Sequence, residues 1–110
     1  MSVDSNTQKI IQELQSYEQT IQNIIMQKQS LQLELNEVNN ALTELTNYNG
    51  DVFRILGGIM IKADANKTKK ELEENKKNLD MHLASFEKQE KDVTEKALKL
   101  RKEVMSKIKN

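Results

Sequence analysis

The sequence is poor in residues that cross-link a chain or reverse its direction. Its 110 residues include no proline, cysteine or tryptophan and only three glycines, and aromatic residues make up 4%. A chain without cysteine forms neither disulfide bonds nor thiolate metal sites. A compact mixed domain needs more turn-forming residues, and more apolar residues than the 36% found here. The composition therefore argues against a compact α/β or disulfide-stabilised domain.

Long apolar runs and an excess of one charge are also missing. Because uninterrupted apolar stretches are short, we expect no membrane-spanning segment. The first residues, MSVDSNTQK, lack the apolar core of a secretory signal. The 17 basic and 17 acidic residues balance, whereas disordered chains usually carry a large net charge. These absences favour long helices with a narrow apolar seam, which needs few apolar residues.

Apolar residues in the first half recur at alternating spacings of four and three, as in a coiled-coil helix. Asp4 or Ser5 is a suitable N-cap. Gly50 or a preceding Asn can adopt the left-handed conformation that ends a helix. We therefore predict a helix over about 5–48. All but one of the eleven positions are apolar or aromatic. This first seam consists of Ile10, Leu14, Tyr17, Ile21, Ile24, Lys28, Leu31, Leu35, Val38, Leu42 and Leu45.

The same spacing returns in the second half. Asp64 is one candidate start, and a capping box of Thr68 and Glu71 is another. We favour Asp64 because the connector would otherwise be long, which predicts a helix over about 65–108. This second seam consists of Leu72, Lys76, Leu79, Leu83, Phe86, Glu90, Val93, Ala97, Leu100 and Val104.

Between the seams, Gly57-Gly58 separates two short runs of β-branched and large apolar residues. Such a pair predicts a two-residue turn with positive φ, hence a β-hairpin over about 51–63. The alternative is a disordered loop between the helices, but an exposed loop would not carry so many large apolar residues. The chain is therefore predicted to be one mainly α domain over 1–110, with two long helices joined by a central β-hairpin.

The charge distribution favours folding back as an antiparallel coiled coil. Residues 1–55 carry 3 basic and 7 acidic side chains, and residues 56–110 carry 14 basic and 10 acidic ones. Helices of opposite sign attract one another across their flanking positions. Lys28 and Glu90 lie at nearly equal distances from Gly57-Gly58, so we expect them to face each other within a turn. At least two registers satisfy both seams.

The hairpin predicts an oligomer. Alternation places apolar residues on both faces, and the helices cannot cover them because their seams face each other. An isolated hairpin is marginally stable and has two unpaired edges. Pairing with hairpins of other subunits, in a barrel or sandwich, solves both problems. The predicted oligomerisation residues are Val52, Phe53, Ile55, Leu56, Ile59, Met60 and Ile61.

Several apolar residues lie outside the seams, mostly toward the helix ends remote from the hairpin. They either widen the coil's own interior or form accessible surface for weak binding of many partners. The sequence leaves both readings open. These residues are Ile11, Ile25, Met26, Leu98, Met105 and Ile108.

The hairpin segment carries a resemblance to a known family. The order of helix, single hairpin and helix resembles that of a β-type prefoldin subunit. The motif that carries the resemblance is Val52-Phe53-Arg54-Ile55-Leu56-Gly57-Gly58-Ile59-Met60-Ile61-Lys62. The family pattern is an apolar–aromatic–basic triplet, a short apolar run, a glycine and three apolar residues. Gly57 matches the glycine, while Phe53 stands where Tyr is common and Gly58 where many members have a polar or other small residue. Lys88-Gln89-Glu90 also looks like archaeal β subunits.

The resemblance implies an ATP-independent cytoplasmic co-chaperone without cofactor or metal. It implies a hexamer of two α-type and four β-type subunits, whose hairpins form a β-barrel platform. Coiled-coil tips would hold unfolded client proteins and pass them to a group II chaperonin. The client-binding residues implied are Ile10, Ile11, Leu14, Val104, Met105 and Ile108.

Three other functions fit the residues less well. An enzyme is disfavoured because the single His82 lies on a helix flank and the carboxylate pairs are on surfaces that do not bury them. Nucleic-acid binding is disfavoured because the lysines alternate with acids and only two residues are Arg. We also expect no membrane partner.

The third and main alternative function is a coiled-coil spacer or tether, although it would not need two apolar strands at its midpoint.

Overall fold

The computed structural model describes residues 4–108, which form two long helices and one hairpin. Helix α1 spans Ser5–Thr46, strand β1 Val52–Leu56, strand β2 Ile59–Ala63 and helix α2 Ala65–Ile108. The predicted helix–hairpin–helix fold is confirmed. Assembly of hairpins into a barrel involves several chains and stays a prediction. Within the described residues, neither helix has an apolar stretch long enough to cross a membrane.

Aspartates cap both helices. The Asp4 carboxylate accepts a hydrogen bond from the Thr7 backbone N–H at 2.6 Å, and its carbonyl accepts one from Gln8 at 3.0 Å. The Asp64 carbonyl accepts from the Thr68 N–H at 2.9 Å, so α2 begins directly after Asp64. The preference for Asp64 over Thr68 as the N-cap is therefore confirmed. The Asp4 carboxylate accepts from the Thr7 N–H, and the Asp64 carboxylate accepts from the Asn66 N–H at 3.3 Å, so each satisfies a donor that the first turn of a helix leaves without a partner.

The end of α1 differs from the expected left-handed cap. The helix ends at Thr46, where the Asn47 N–H bonds the Glu44 carbonyl at 3.3 Å in a tightened last turn. Among residues 4–108, positive φ occurs only at Gly57 and Gly58, so neither Gly50 nor an Asn ends α1 in the predicted way. At Gly50 the Tyr48 ring occupies the space that a Cβ would need. The absence of a side chain at this position leaves room for the Tyr48 ring.

The chain divides into two compact units. The hairpin unit comprises residues Ser30–Leu83, and its core is formed by the buried residues Leu35, Val38 and Leu79. Leu31, Leu42, Leu72 and Leu83 surround this core. Every core residue belongs to one of the two seams, so the seam spacing predicts the core of this unit. Lys76 departs from the pattern because it is exposed although its spacing fits the second seam.

The terminal unit comprises residues up to Gln29 and from Ala84 onward. Seam residues Ile24, Ala97 and Val104 are buried there. The Lys28 Nζ lies 2.9 Å from Glu90 Oε2, which confirms the predicted pairing of these seam charges. A second ion pair joins Arg101 Nη2 to Glu18 Oε1 at 2.9 Å. Compared with the Lys28–Glu90 pair, it lies ten residues earlier on α1 and eleven residues later on α2. The two helix segments of this unit therefore run antiparallel.

Candidate functional site

The hairpin turn depends on two glycines. Gly57 and Gly58 have φ values of 55° and 80°. The backbone of a residue with a side chain would be strained at these positive values. They connect Leu56 to Ile59, the last pair of the antiparallel ladder. Two successive residues with positive φ match the twist of the flanking strands, as in a type I′ turn. The predicted two-residue hairpin is confirmed.

The ladder divides the hairpin side chains between two faces. One face carries three cross-strand pairs, which are Val52 with Ala63, Arg54 with Ile61 and Leu56 with Ile59. The pairs Phe53 with Lys62 and Ile55 with Met60 occupy the other face. Both faces are thus largely apolar.

Most of the predicted oligomerisation residues are exposed in the single chain. Ile55 is 72% exposed, while Val52, in the pair of the ladder farthest from the turn, is half-buried. A two-stranded sheet with two apolar faces and two free edges is unstable in water unless something covers it. The exposed members of the set are Phe53, Ile55, Leu56, Ile59, Met60 and Ile61.

Ion pairs attach the hairpin to its surroundings in the hairpin unit. The Arg54 guanidinium lies 2.8 Å from the Glu71 carboxylate in the second turn of α2. Lys62 lies 3.5 Å from Asp51, just before β1. All four side chains are solvent-exposed, so each pair orients the hairpin more than it stabilises the chain.

The predicted client-binding residues all fall in the terminal unit but differ in accessibility. Ile10, Ile11 and Leu14 are half-buried, and Val104 is only 8% exposed. Met105 is 61% exposed and Ile108 is 41% exposed. Whether any of them binds a client stays a prediction. The accessible apolar surface of the set consists of Met105 and Ile108.

Leu98 adds to this surface, although it is not among the predicted client-binding residues. It is 47% exposed and precedes Met105 by seven residues, which places both on one side of α2. With Arg101, Lys102 and Ser106, these two side chains line a shallow depression. The spacing of seven between two apolar residues outside the seam is the signal that identifies Leu98.

Two ionisable groups of the terminal unit have shifted pKa values. The pKa of Asp4 is lowered from 3.8, first by the backbone hydrogen bond from Thr7. The pKa of Tyr17 is raised from 10.0, first by desolvation and then by its hydrogen bond to Glu13 at 3.2 Å. Both shifts follow from local helix contacts. His82 is exposed on α2, and residues 4–108 contain no group of three potential metal ligands.

The family model described as "Prefoldin subunit" matches residues 8–110. The chain belongs to the prefoldin family. The prefoldin subunit beta of Thermococcus kodakarensis is 33% identical over 107 residues, covering 96% of this chain and 92% of the relative. That of Pyrococcus furiosus is 29% identical over the same shares of both chains.

A solved structure agrees with the prefoldin relatives. The crystal structure of the prefoldin beta subunit from Thermococcus strain KS-1 matches with a TM-score of 0.89 and 31% identity. The match covers 99% of this chain and 97% of that one. The resemblance to archaeal β-type prefoldin subunits is therefore confirmed, and the chain is a member of a co-chaperone family. Its β-type relatives imply assembly with other prefoldin subunits.

Proposed function

We propose that this chain is a β-type subunit of an ATP-independent co-chaperone that holds non-native proteins and delivers them to a group II chaperonin. It acts in the cytoplasm as part of a hexamer of two α-type and four β-type subunits. The hairpins form the platform, and the helix ends remote from the hairpin hold the client. No cofactor or enzymatic step takes part.

One observation carries the proposal: apolar side chains remain accessible outside seams that are already closed. Leu35, Leu79 and Val104 are buried between helix segments, so the coil itself does not need Met105 or Ile108. Exposed apolar surface is the feature that a protein binding unfolded chains requires. Methionine suits this role because its flexible side chain adapts to different partners.

The proposal is tested by suppression of aggregation. Full-length chain, assembled with an α-type prefoldin subunit, is mixed at stoichiometric amounts with a denatured protein diluted from denaturant, without ATP. We expect light scattering to fall for the wild type. The double variant Met105→Ser, Ile108→Ser should lose most of this effect.

Met81→Ser is the matched control, because Met81 is 66% exposed but lies on α2 in the hairpin unit. It should hold clients as well as the wild type. If both variants hold clients equally well, Met105 and Ile108 are not the client-binding residues. If the wild type assembles but does not suppress aggregation, the spacer or tether function is correct instead.

Delivery is measured separately with a group II chaperonin. A client held by the assembled complex should regain activity when chaperonin and ATP are added, and should stay inactive with ATP alone. Recovery that does not depend on the chaperonin would contradict this part of the proposal.

A further inference from the structure

One side of α2 in the terminal unit combines exposed apolar residues with positive charge. Leu98, Met105 and Ile108 recur at spacings of seven and three, so they follow one stripe of the helix. Arg101 and Lys102 lie between Leu98 and Met105 and are exposed as well. We call these five residues the α2 face. Leu98 and Met105 line one shallow depression with Arg101 and Lys102, whose aliphatic stems add apolar surface, and Ile108 follows Met105 by three residues.

The positive charge of the α2 face is only partly compensated. Arg101 is paired with Glu18 at 2.9 Å, and this pair is bordered by the uncharged amides of Gln15 and Gln22. Within residues 4–108, no carboxylate lies at ion-pair distance from Lys102.

Two other acids of the terminal unit, Asp4 and Glu103, act on Lys107, which is outside the α2 face. Glu103 is turned toward Lys107, at 3.8 Å. Glu95 precedes Lys102 by seven residues, about 10 Å along the helix, and marks the hairpin-side limit of the face. Within the α2 face, Arg101 is therefore paired, and Lys102 carries the uncompensated positive charge that a docking segment meets.

We propose that the α2 face selects acidic amphipathic segments of non-native proteins. The apolar residues of such a segment lie on Leu98, Met105 and Ile108, while its Asp or Glu side chains lie near Lys102 and Arg101. Charge complementarity supplies the selection, because apolar contact alone discriminates poorly between segments. The inference rests on the proposed function and adds to it the chemical class of the bound segment.

The test uses three fluorescent peptides with the same leucine positions and with Glu, Gln or Lys between them. Their affinity for the full-length chain assembled with an α-type subunit is measured by fluorescence anisotropy at low salt. We expect the glutamate peptide to bind about fivefold more tightly than the lysine peptide, since each exposed ion pair contributes modestly. Raising the salt should reduce this difference, because exposed charges are screened.

Lys102→Gln should reduce the preference for the glutamate peptide about twofold. Lys88→Gln is the matched control, because Lys88 is exposed on the same side of α2, fourteen residues earlier. It should leave the preference unchanged. Equal effects of the two variants would contradict the proposal, as would a preference that Lys102→Gln does not reduce.

The outcome separates this inference from the proposed function. Equal affinity for all three peptides, in a complex that still suppresses aggregation, overturns charge selection and leaves the chaperone function intact. A complex that binds no peptide and suppresses no aggregation contradicts the chaperone function itself. Met105→Ser should weaken all three peptides to a similar degree, since it removes only the apolar contact.

Discussion

The helical seams and the hairpin contain similar apolar residues in opposite environments. In the seams, Leu79 is 7% exposed and is surrounded by leucines of the same chain. In the hairpin, large apolar residues such as Ile59 and Met60 remain exposed on both faces. The difference shows that one chain buries the apolar residues of its helical seams but not those of its hairpin. For this reason we expect assembly to take place at the hairpin.

The largest effect is expected at the hairpin. Ile55→Asp should abolish assembly with an α-type subunit, because an interface cannot bury an unpaired carboxylate. The same change should leave helix content unaltered, since Ile55 is exposed in the single chain. Size-exclusion chromatography with light scattering gives the mass, and circular dichroism gives the helix content.

Leu33→Asp is the control, because it introduces the same charge at an exposed position of α1. It should assemble normally. A normal complex formed by Ile55→Asp would show that this strand is not part of the interface.

In the seam, the expected effect is on stability. Leu79→Ala should lower the free energy of unfolding by about 2–4 kcal/mol, since it leaves a cavity beside Leu35 and Val38. Urea denaturation followed by circular dichroism measures this change. Leu33→Ala, at an exposed position, should change it by less than about 0.5 kcal/mol. Similar losses in the two variants would contradict the closed seam.

Reversing the charges of the ion pair between the two seams should have a smaller effect on stability. Lys28 and Glu90 are each 28% exposed, so their attraction is only partly screened. Lys28→Glu or Glu90→Lys alone should lower the free energy of unfolding by about 1 kcal/mol, because like charges then meet. The double reversal should recover most of that loss. A double variant as unstable as the sum of the single ones would show that the pair does not contribute to alignment.

The smallest effect concerns the start of α1. The folded pKa of Asp4 lies below 3.8, chiefly because the ionised carboxylate accepts the Thr7 backbone hydrogen bond. Its stabilisation is therefore complete above the unfolded pKa and is lost as pH falls through the lower folded pKa. Asp4→Ala should speed hydrogen exchange of the Thr7 amide, measured by NMR, while Asp80→Ala on exposed α2 should not. An unchanged rate in Asp4→Ala would contradict the capping role.

Periodicity and turn chemistry made much of this structure predictable. The spacing of four and three located the core residues Leu35, Val38 and Leu79, and Gly57-Gly58 located the turn. Lys76 fits the spacing yet is exposed, because a long charged side chain can leave the coil interior for water.

Other features depend on contacts that a linear pattern does not encode. The packing of Tyr48 over Gly50 is one example, since it is a local ring contact that no spacing rule describes. The different exposure of Val104 and Met105 follows from which side of α2 faces α1 within the terminal unit. The sequence identified both as candidates, but only packing separates the buried one from the accessible one.

We expect the exposed hairpin to be covered by other subunits. Native mass spectrometry of the full-length chain mixed with an α-type prefoldin subunit measures this assembly. We predict a single complex with the mass of two α-type and four β-type chains, which Ile55→Asp does not form. A mixture in which this chain remains a monomer would contradict assembly through the hairpin.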